Sequence, residues 1–177
     1  MKPLDLQTLA TFADGTTAAS EGMSVSRVIT DSRKAQPGDL FVALKGDKFD
    51  AHDFLPQVIA AGATACLVQK GRGVASDTCA MVEVDDTLLG LQSLARGYRS
   101  LLQPLIIGLT GSNGKTSTKD LTAVVMSCQK QTRATLGNLN NHIGVPLTLL
   151  SLRPPAPWCM FHPSVQRGPS VLCRVPA

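Results

Sequence analysis

No uninterrupted apolar run in this chain approaches the roughly 18 residues that a membrane-crossing helix requires. The opening MKPLDLQTLATFADG carries acids where a secretory signal would not. A cytoplasmic protein with no membrane partner is therefore expected. The five cysteines, at positions 66, 79, 128, 159 and 173, include no CxxC pair, and their odd number without a secretory leader fits reduced thiols. Cys66, inside TACLV, reads as a core residue. Cys and His are not clustered at metal-ligand spacing, which argues against a zinc module, and His52 and His142 read as helix-start or surface histidines.

Massed charge of one sign is missing too. The formal net charge is +4, but residues 153–177 hold three arginines and no acid, which leaves 14 basic against 13 acidic side chains upstream. The basic residues of that nearly neutral part are scattered, so no nucleic-acid face is expected.

What is present is an alternation of short apolar strands and amphipathic helices. With 177 residues and 44% hydrophobic content, the chain can bury one good core or two small ones. Leucines and Phe12 at near-helical spacing predict a first helix over residues 3–13, ended by Asp14-Gly15. Two short strands, around Val28 and over residues 40–44, flank TDSR and a PGD turn and imply a tight connection. A helix capped near Asp50 or Asp53 should stop at Gly62, ahead of a strand over 64–68 and, after a surface loop, another over 81–84. Asp85 or Asp86 can cap the next helix, on which Leu88, Leu91, Ala95, Tyr98 and Leu102 share one packing face. Gln103-Pro104 breaks it and marks a domain boundary.

At residues 105–116 the sequence reads LIIGLTGSNGKT. An expected buried strand (Leu105, Ile106, Ile107) runs into a glycine turn and then a helix-periodic segment, which is the order a phosphate-binding loop needs. Gly111 and Gly114 permit backbone angles and close approaches that a Cβ would block, so that successive N–H groups can face phosphate oxygens. Lys115 would reach the β/γ-phosphates as the catalytic candidate, and the Thr116 hydroxyl would ligate Mg²⁺. Gly111, Ser112, Asn113, Gly114, Lys115, Thr116 and Ser117 are the candidate ATP contacts. The core GxxGKT is complete, although Leu109 stands where the full pattern has its first glycine. A second polar loop, TLGNLNNHIGVP, precedes an apolar helix near Pro146. Its asparagines, Asn138, Asn140 and Asn141, read equally as turn formers or as amide contacts to a polar substrate. In TDSR, Ser32 and Arg33 can meet a sugar-nucleotide or an anion, but a strand-end turn with an Asp31–Arg33 surface pair is the preferred reading of those residues alone.

In order, TDSR…PGDLFVALKG…FDAHDF…GATACLV, LTGSNGKTSTKD and TLGNLNNHIGVPLTLL resemble the beginning of a Mur ligase, over residues 4 to about 152. Ala51 stands where such ligases often have glycine in FDGHDF. The asparagine-rich block resembles the branch joining D-alanyl-D-alanine to UDP-N-acetylmuramoyl-tripeptide more than its sister branch.

The resemblance implies an α/β fold: a small amino-terminal α/β domain over 1–103 holding the UDP substrate, then the start of an incomplete P-loop nucleotide-binding α/β domain over 104–152. It places Ser32 and Arg33 on the uridine side, 111–116 on ATP, and Asn138 and Asn141 near the UDP-N-acetylmuramoyl-peptide. It implies ATP and Mg²⁺, small-molecule substrates, and chemistry through an acyl phosphate. A carbamylated lysine, further metal ligands, the adenine site and the amine-binding domain of such ligases find no counterpart here. A truncated ligase, inactive alone and monomeric, is therefore expected.

Residues 153–177, with six prolines in 25 positions, are expected to be a disordered tail unlike the family, translated from a shifted frame. Reading the downstream DNA in the other frames tests that origin. Another Mur ligase, a binding module keeping only the sugar-nucleotide pocket with at most weak nucleotide affinity, and an unrelated P-loop NTPase are the open alternatives.

Overall fold

The computed structural model describes residues 1–18, 22–46, 49–109, 112–129, 131–135, 140–154 and, for the backbone, 158–161. A two-residue strand, β1 (Leu4–Asp5), leads into α1 (Leu6–Phe12). Asp5 caps that helix, accepting hydrogen bonds from the Thr8 N–H and hydroxyl, both at 2.8 Å. Asp14, at φ 55°, and Gly15 then turn the chain toward β2 (Thr16–Thr17). Next come β3 (Ser24–Val25), antiparallel to β1, and β4 (Arg27–Ile29).

β4 and β5 (Asp39–Val42) run parallel, with Arg27 opposite Asp39. The connection predicted between them is present but is no hairpin: a 3-10 turn over Ser32–Lys34 and the PGD turn carry the chain back to the starting end. A bidentate ion pair holds the first rung. Arg27 Nε and Nη2 donate to the two Asp39 oxygens at 2.7 and 2.6 Å, and the buried carboxylate also accepts from the Gln36 N–H at 2.9 Å. Such paired, charge-assisted bonds offset the cost of taking the carboxylate out of water.

A 3-10 turn (Ala51–Phe54) and α2 (Leu55–Ala60) lead to β6 (Ala65–Gln69) and β7 (Ala80–Val84). The sheet order is β2-β7-β6-β5-β4, parallel throughout except for the edge strand β2. Because successive side chains of a strand point to opposite faces, each interior strand feeds two cores. Leu40, Val42, Ala65, Leu67, Val82 and Val84 meet α1 and the helix after β7 on one face. Phe41, Ala43, Cys66 and Val68 meet Leu55 and Val58 of α2 on the other.

α3 (Thr87–Leu102) is capped by Asp86, whose Oδ1 accepts from the N–H groups of Leu88 and Leu89 at 2.8 and 2.9 Å. Leu91, Ala95 and Tyr98 of the predicted stripe are buried, together with Leu94. Gly97 allows α1 close in, since a Cβ there would fall 2.4 Å from Phe12 Cγ. The left-handed Gln103, at φ 47°, ends the helix just before Pro104.

Beyond it, β8 (Leu105–Gly108), α4 (Lys115–Ser127), β9 (Thr132–Ala134), α5 (Gly144–Leu150) and β10 (Trp158–Phe161) build a second, parallel sheet in the order β8-β10-β9. Three expectations need correction here. β8 forms but is not buried: it is an edge strand, and Leu105 is 50% exposed. Residues 158–161, placed by composition in a disordered tail, form the middle strand of this sheet, because the apolar run WCMF can pair with both neighbours wherever proline is absent. The last helix is not confined to the second unit: Val145, Leu149, Leu150 and Leu152 join the core built by α1 and α3. By contrast, Leu121, Val124 and Val125 on α4 are 65–69% exposed.

Candidate functional site

In both sheets the loops singled out by sequence lie at the carboxyl ends of parallel strands, the edge where open α/β folds bind ligands. TDSR follows β4, the glycine turn follows β8, and the asparagine loop follows β9.

Gly114 adopts φ 75° and opens α4 as its N-terminal residue. An L side chain would be strained at that angle, while open space lies within 4 Å of the position its Cβ would take. Ser112, Asn113, Gly114, Thr116 and Ser117 are exposed and Lys115 is half-buried in the first helical turn. Lys115 Nζ donates to the Ser112 carbonyl at 3.1 Å, folding the ammonium over the turn. An exposed turn of unblocked main chain, a helix N-terminus and an ammonium together match the donor set a nucleotide phosphate requires. Gly111 lies outside the described residues.

One residue that sequence reasoning missed joins the two loops. Lys119, one helical turn beyond Lys115, is 2% exposed, and its Nζ donates to the Thr135 carbonyl at 2.5 Å and pairs with Asp120 at 3.1 Å. Thr135 immediately precedes the asparagine loop, so a buried cation fixes the root of that loop against the phosphate-loop helix. The available signal was a lysine at i+4 from the loop lysine, on the same helix face. The Thr135 hydroxyl is buried and has no hydrogen-bond partner among the described residues.

Asn138 lies outside the described residues. Asn141 spends its carboxamide oxygen on the Ile143 and Gly144 N–H groups, at 3.2 and 2.7 Å, starting α5 in the manner of a turn former. Gln92 of α3 donates to the His142 carbonyl at 3.1 Å, holding the end of that loop on the first unit.

Ser32 and Arg33 belong to the other sheet and make no hydrogen bond to either loop among the described residues. Arg33 forks onto Asp31 through Nε and Nη2, both at 2.8 Å, and its side chain is 82% exposed. This is the strand-end turn with a surface pair that its residues favour. The guanidinium pulls the Asp31 carboxyl down to about 2.

His52 is at a helix start as read, but buried rather than on the surface. The Gln69 N–H donates to its Nε2 at 3.0 Å, which leaves the proton on Nδ1, and Nδ1 donates to Asp50 at 2.6 Å. Asp50 also accepts from the His52 N–H at 3.0 Å and binds the Arg72 guanidinium. Partial burial alone would raise the Asp50 pKa, but these hydrogen bonds outweigh it and hold the carboxyl below the ordinary carboxylate range. A depressed folded-state value contributes stability that is full above the unfolded pKa of about 3.9 and is lost as pH falls through the folded value. Asp50→Asn should therefore lower the urea midpoint at neutral pH. The gap from the parent should close progressively below about pH 4, as urea titrations across the acid range will show.

The geometry defines an α/β protein in which an exposed glycine turn opens a helix beside one parallel sheet and the TDSR turn ends a strand of another. Residues 24–99 match the family model described as Mur ligase family, catalytic domain, and residues 109–158 match the Mur ligase middle domain. The chain belongs to the Mur ligase family. A curated relative from Synechocystis, UDP-N-acetylmuramoyl-tripeptide–D-alanyl-D-alanine ligase, is 44% identical over 138 residues, 78% of this chain and 30% of the relative. MurF from Acinetobacter baumannii superposes with a TM-score of 0.83 at 36% identity, over 92% of this chain and 36% of that one. The MurF ligase from Thermotoga maritima, solved in complex with ADP, gives 0.68 at 30% identity, over 78% and 32% respectively. The chain thus spans about a third of the length of the proteins it matches. Among the described residues no helix is long and apolar enough to cross a membrane.

Proposed function

We propose that this chain supplies the sugar-nucleotide unit and the phosphate loop of a cytoplasmic ATP-dependent ligase that joins D-alanyl-D-alanine to UDP-N-acetylmuramoyl-tripeptide. Residues 1–103 form the UDP-substrate unit, with Ser32 and Arg33 on the uridine side, and residues 104–152 begin the ATP unit. The observation that carries the reading is the Lys119 bridge, which ties Thr135, the residue ahead of the asparagine loop, to the helix whose N-terminus is the exposed Gly114 turn. That the Thermotoga relative was solved in complex with ADP supports a nucleotide-binding role.

In the reaction a carboxylate oxygen of the muramoyl peptide attacks the γ-phosphorus of ATP, giving an acyl phosphate and ADP. The dipeptide amine then attacks the acyl carbon, and phosphate leaves as the amide forms. Phosphoryl transfer needs positioning and neutralisation of spread charge more than covalent help. Lys115 and the N–H groups of residues 112–114 meet the charge on the transferring phosphoryl oxygens. The Thr116 hydroxyl would hold a Mg²⁺ ion, which would supply further positive charge against the phosphates. Asn138 and the Asn141 amide NH₂ would orient the muramoyl peptide for in-line attack.

Grafting residues 1–152 in place of the matching part of the Acinetobacter ligase tests this. ADP release by the chimera should require both UDP-N-acetylmuramoyl-tripeptide and D-alanyl-D-alanine. ADP release without the muramoyl substrate would instead mark an unrelated NTPase. A soluble chimera that binds UDP-N-acetylmuramoyl-tripeptide but releases no ADP would mark a binding module.

A further inference from the structure

The core beneath the sheet contains two thiols that the proposed ligase chemistry does not use. Cys66 lies in β6 opposite Met81 of β7, and Cys79 sits one residue ahead of β7. Their sulfurs are 3.6 Å apart, both side chains are buried, and both are free thiols. A disulfide requires about 2.05 Å, so roughly 1.5 Å of approach, shared between two side chains, separates this contact from a bond.

We propose that Cys66 and Cys79 form a peroxide-oxidisable dithiol that closes into an intramolecular disulfide at the base of loop 70–78. Access comes from the loop. Residues 71–75, 77 and 78 are exposed, and the Cys79 N–H donates within the loop, to Ser76 Oγ at 3.1 Å. A brief opening of this segment uncovers Cys79 without disturbing β6.

The contact also sets the order of events. With Cys66 as the donor in this contact, the hydrogen bond and burial both raise the Cys66 pKa, while the same bond lowers that of Cys79 against the opposing effect of its own burial, so Cys79 ionises first. The Cys79 thiolate attacks one oxygen of hydrogen peroxide, forming a sulfenic acid and releasing hydroxide. Cys66 loses its proton to that hydroxide, and its sulfur attacks the sulfenic sulfur. The expelled second hydroxide takes a proton from solvent. Two thiols are oxidised and one peroxide is reduced to two waters.

Closure would staple the loop between the two positions, which are 13 residues apart in sequence. That span carries Gln69, whose N–H holds His52, and Arg72, which holds Asp50. The oxidised chain therefore locks the loop that braces the FDAHDF segment. Cys128, exposed at the end of α4, is an internal comparison thiol with no such neighbour among the described residues.

The experiment treats the reduced full chain with hydrogen peroxide under native conditions, blocks remaining thiols with iodoacetamide and maps peptides without reductant. A linked Cys66–Cys79 peptide is expected, with an intact-mass loss of about 2 Da that dithiothreitol reverses. Trypsin cleavage at Arg72 should slow about tenfold in the linked form. In Cys66→Ser the reaction should stop at a Cys79 sulfenic acid trapped by dimedone, and in Cys79→Ser residue 66 should stay reduced. Oxidation of Cys128 with no linked peptide would overturn the proposal, as would linkage seen only in urea. Should either variant fail to fold, the mapping of the parent chain decides alone.

Discussion

Lys115→Ala should weaken ADP·Mg²⁺ binding roughly 100-fold or more while leaving affinity for UDP-N-acetylmuramoyl-tripeptide within about twofold. The size follows from what is removed. A charge-assisted hydrogen bond contributes about 1.5–3 kcal/mol, and an ammonium over the β/γ-phosphates makes at least two, against 1.4 kcal/mol per decade of affinity. The fold should be indifferent to the change. Lys115 occupies the first turn of α4, its Nζ donates to the Ser112 carbonyl of its own loop, and alanine is the better helix former.

The other half of the expectation rests on topology, because Ser32 and Arg33 sit at the carboxyl end of β4 in the five-stranded sheet, not on the sheet that carries the phosphate loop. Calorimetric titration of each ligand separates the outcomes. Unchanged ADP affinity would remove the phosphate-loop assignment. Simultaneous loss of both ligands would show that the division at Gln103 does not separate two sites.

Much of this arrangement was legible in the sequence because it depends on local chemistry. Asp86 caps α3 since only it presents an oxygen to the N–H groups of Leu88 and Leu89; Asp85 is turned to Lys70 instead. The glycine turn declares itself because φ 75° at Gly114 is a conformation that strongly favours glycine. What stayed hidden depends on partners distant in sequence. Lys119 looks like any solvated lysine in a helix until Thr135, sixteen residues on, supplies its acceptor. His52 is buried because Asp50 and the Gln69 N–H satisfy both ring nitrogens, and the second of these could not be foreseen from FDAHDF alone. Proline counting condemned the whole stretch after residue 152, yet prolines bracket WCMF without entering it, and pairing on both sides makes it a strand.

The exposed apolar face of α4 has the same origin. Leu121, Val124 and Val125 follow a helical period of three and four, which normally marks a core face, yet each is more than half exposed. The relatives continue for about twice the length of this chain beyond the matched segment or around it. A periodic stripe records what a helix is shaped to pack against, not whether the packing element is present.

Tyr98→Ala should be the most damaging single substitution in the shared core, costing about 3–5 kcal/mol for the lost ring, with the loss of two phenol hydrogen bonds added. Tyr98 is fully buried in α3. Its hydroxyl accepts from the Lys2 N–H at 2.6 Å and donates to the Leu152 carbonyl at 2.7 Å, so one oxygen ties the amino terminus, α3 and the end of α5 together. Tyr98→Phe isolates the polar part. It keeps the packing but leaves a backbone donor and a backbone acceptor unpaired, at a cost of about 1–3 kcal/mol. The two variants should differ in where the damage falls. With phenylalanine, amide exchange should accelerate first over residues 144–152, because α5 is held to this core through Val145, Leu147, Leu149, Leu150, Leu152 and that hydroxyl, whereas α3 keeps its contacts to α1 and the sheet. With alanine, exchange should rise across both helices as the core itself gives way. Uniform acceleration in both variants would mean that α5 is no separable element and that the core across residue 103 opens as one unit. Local loss confined to residues 144–152 in the phenylalanine variant would show that the phosphate-loop half hangs from the first unit through α5, with Tyr98 as its fastening.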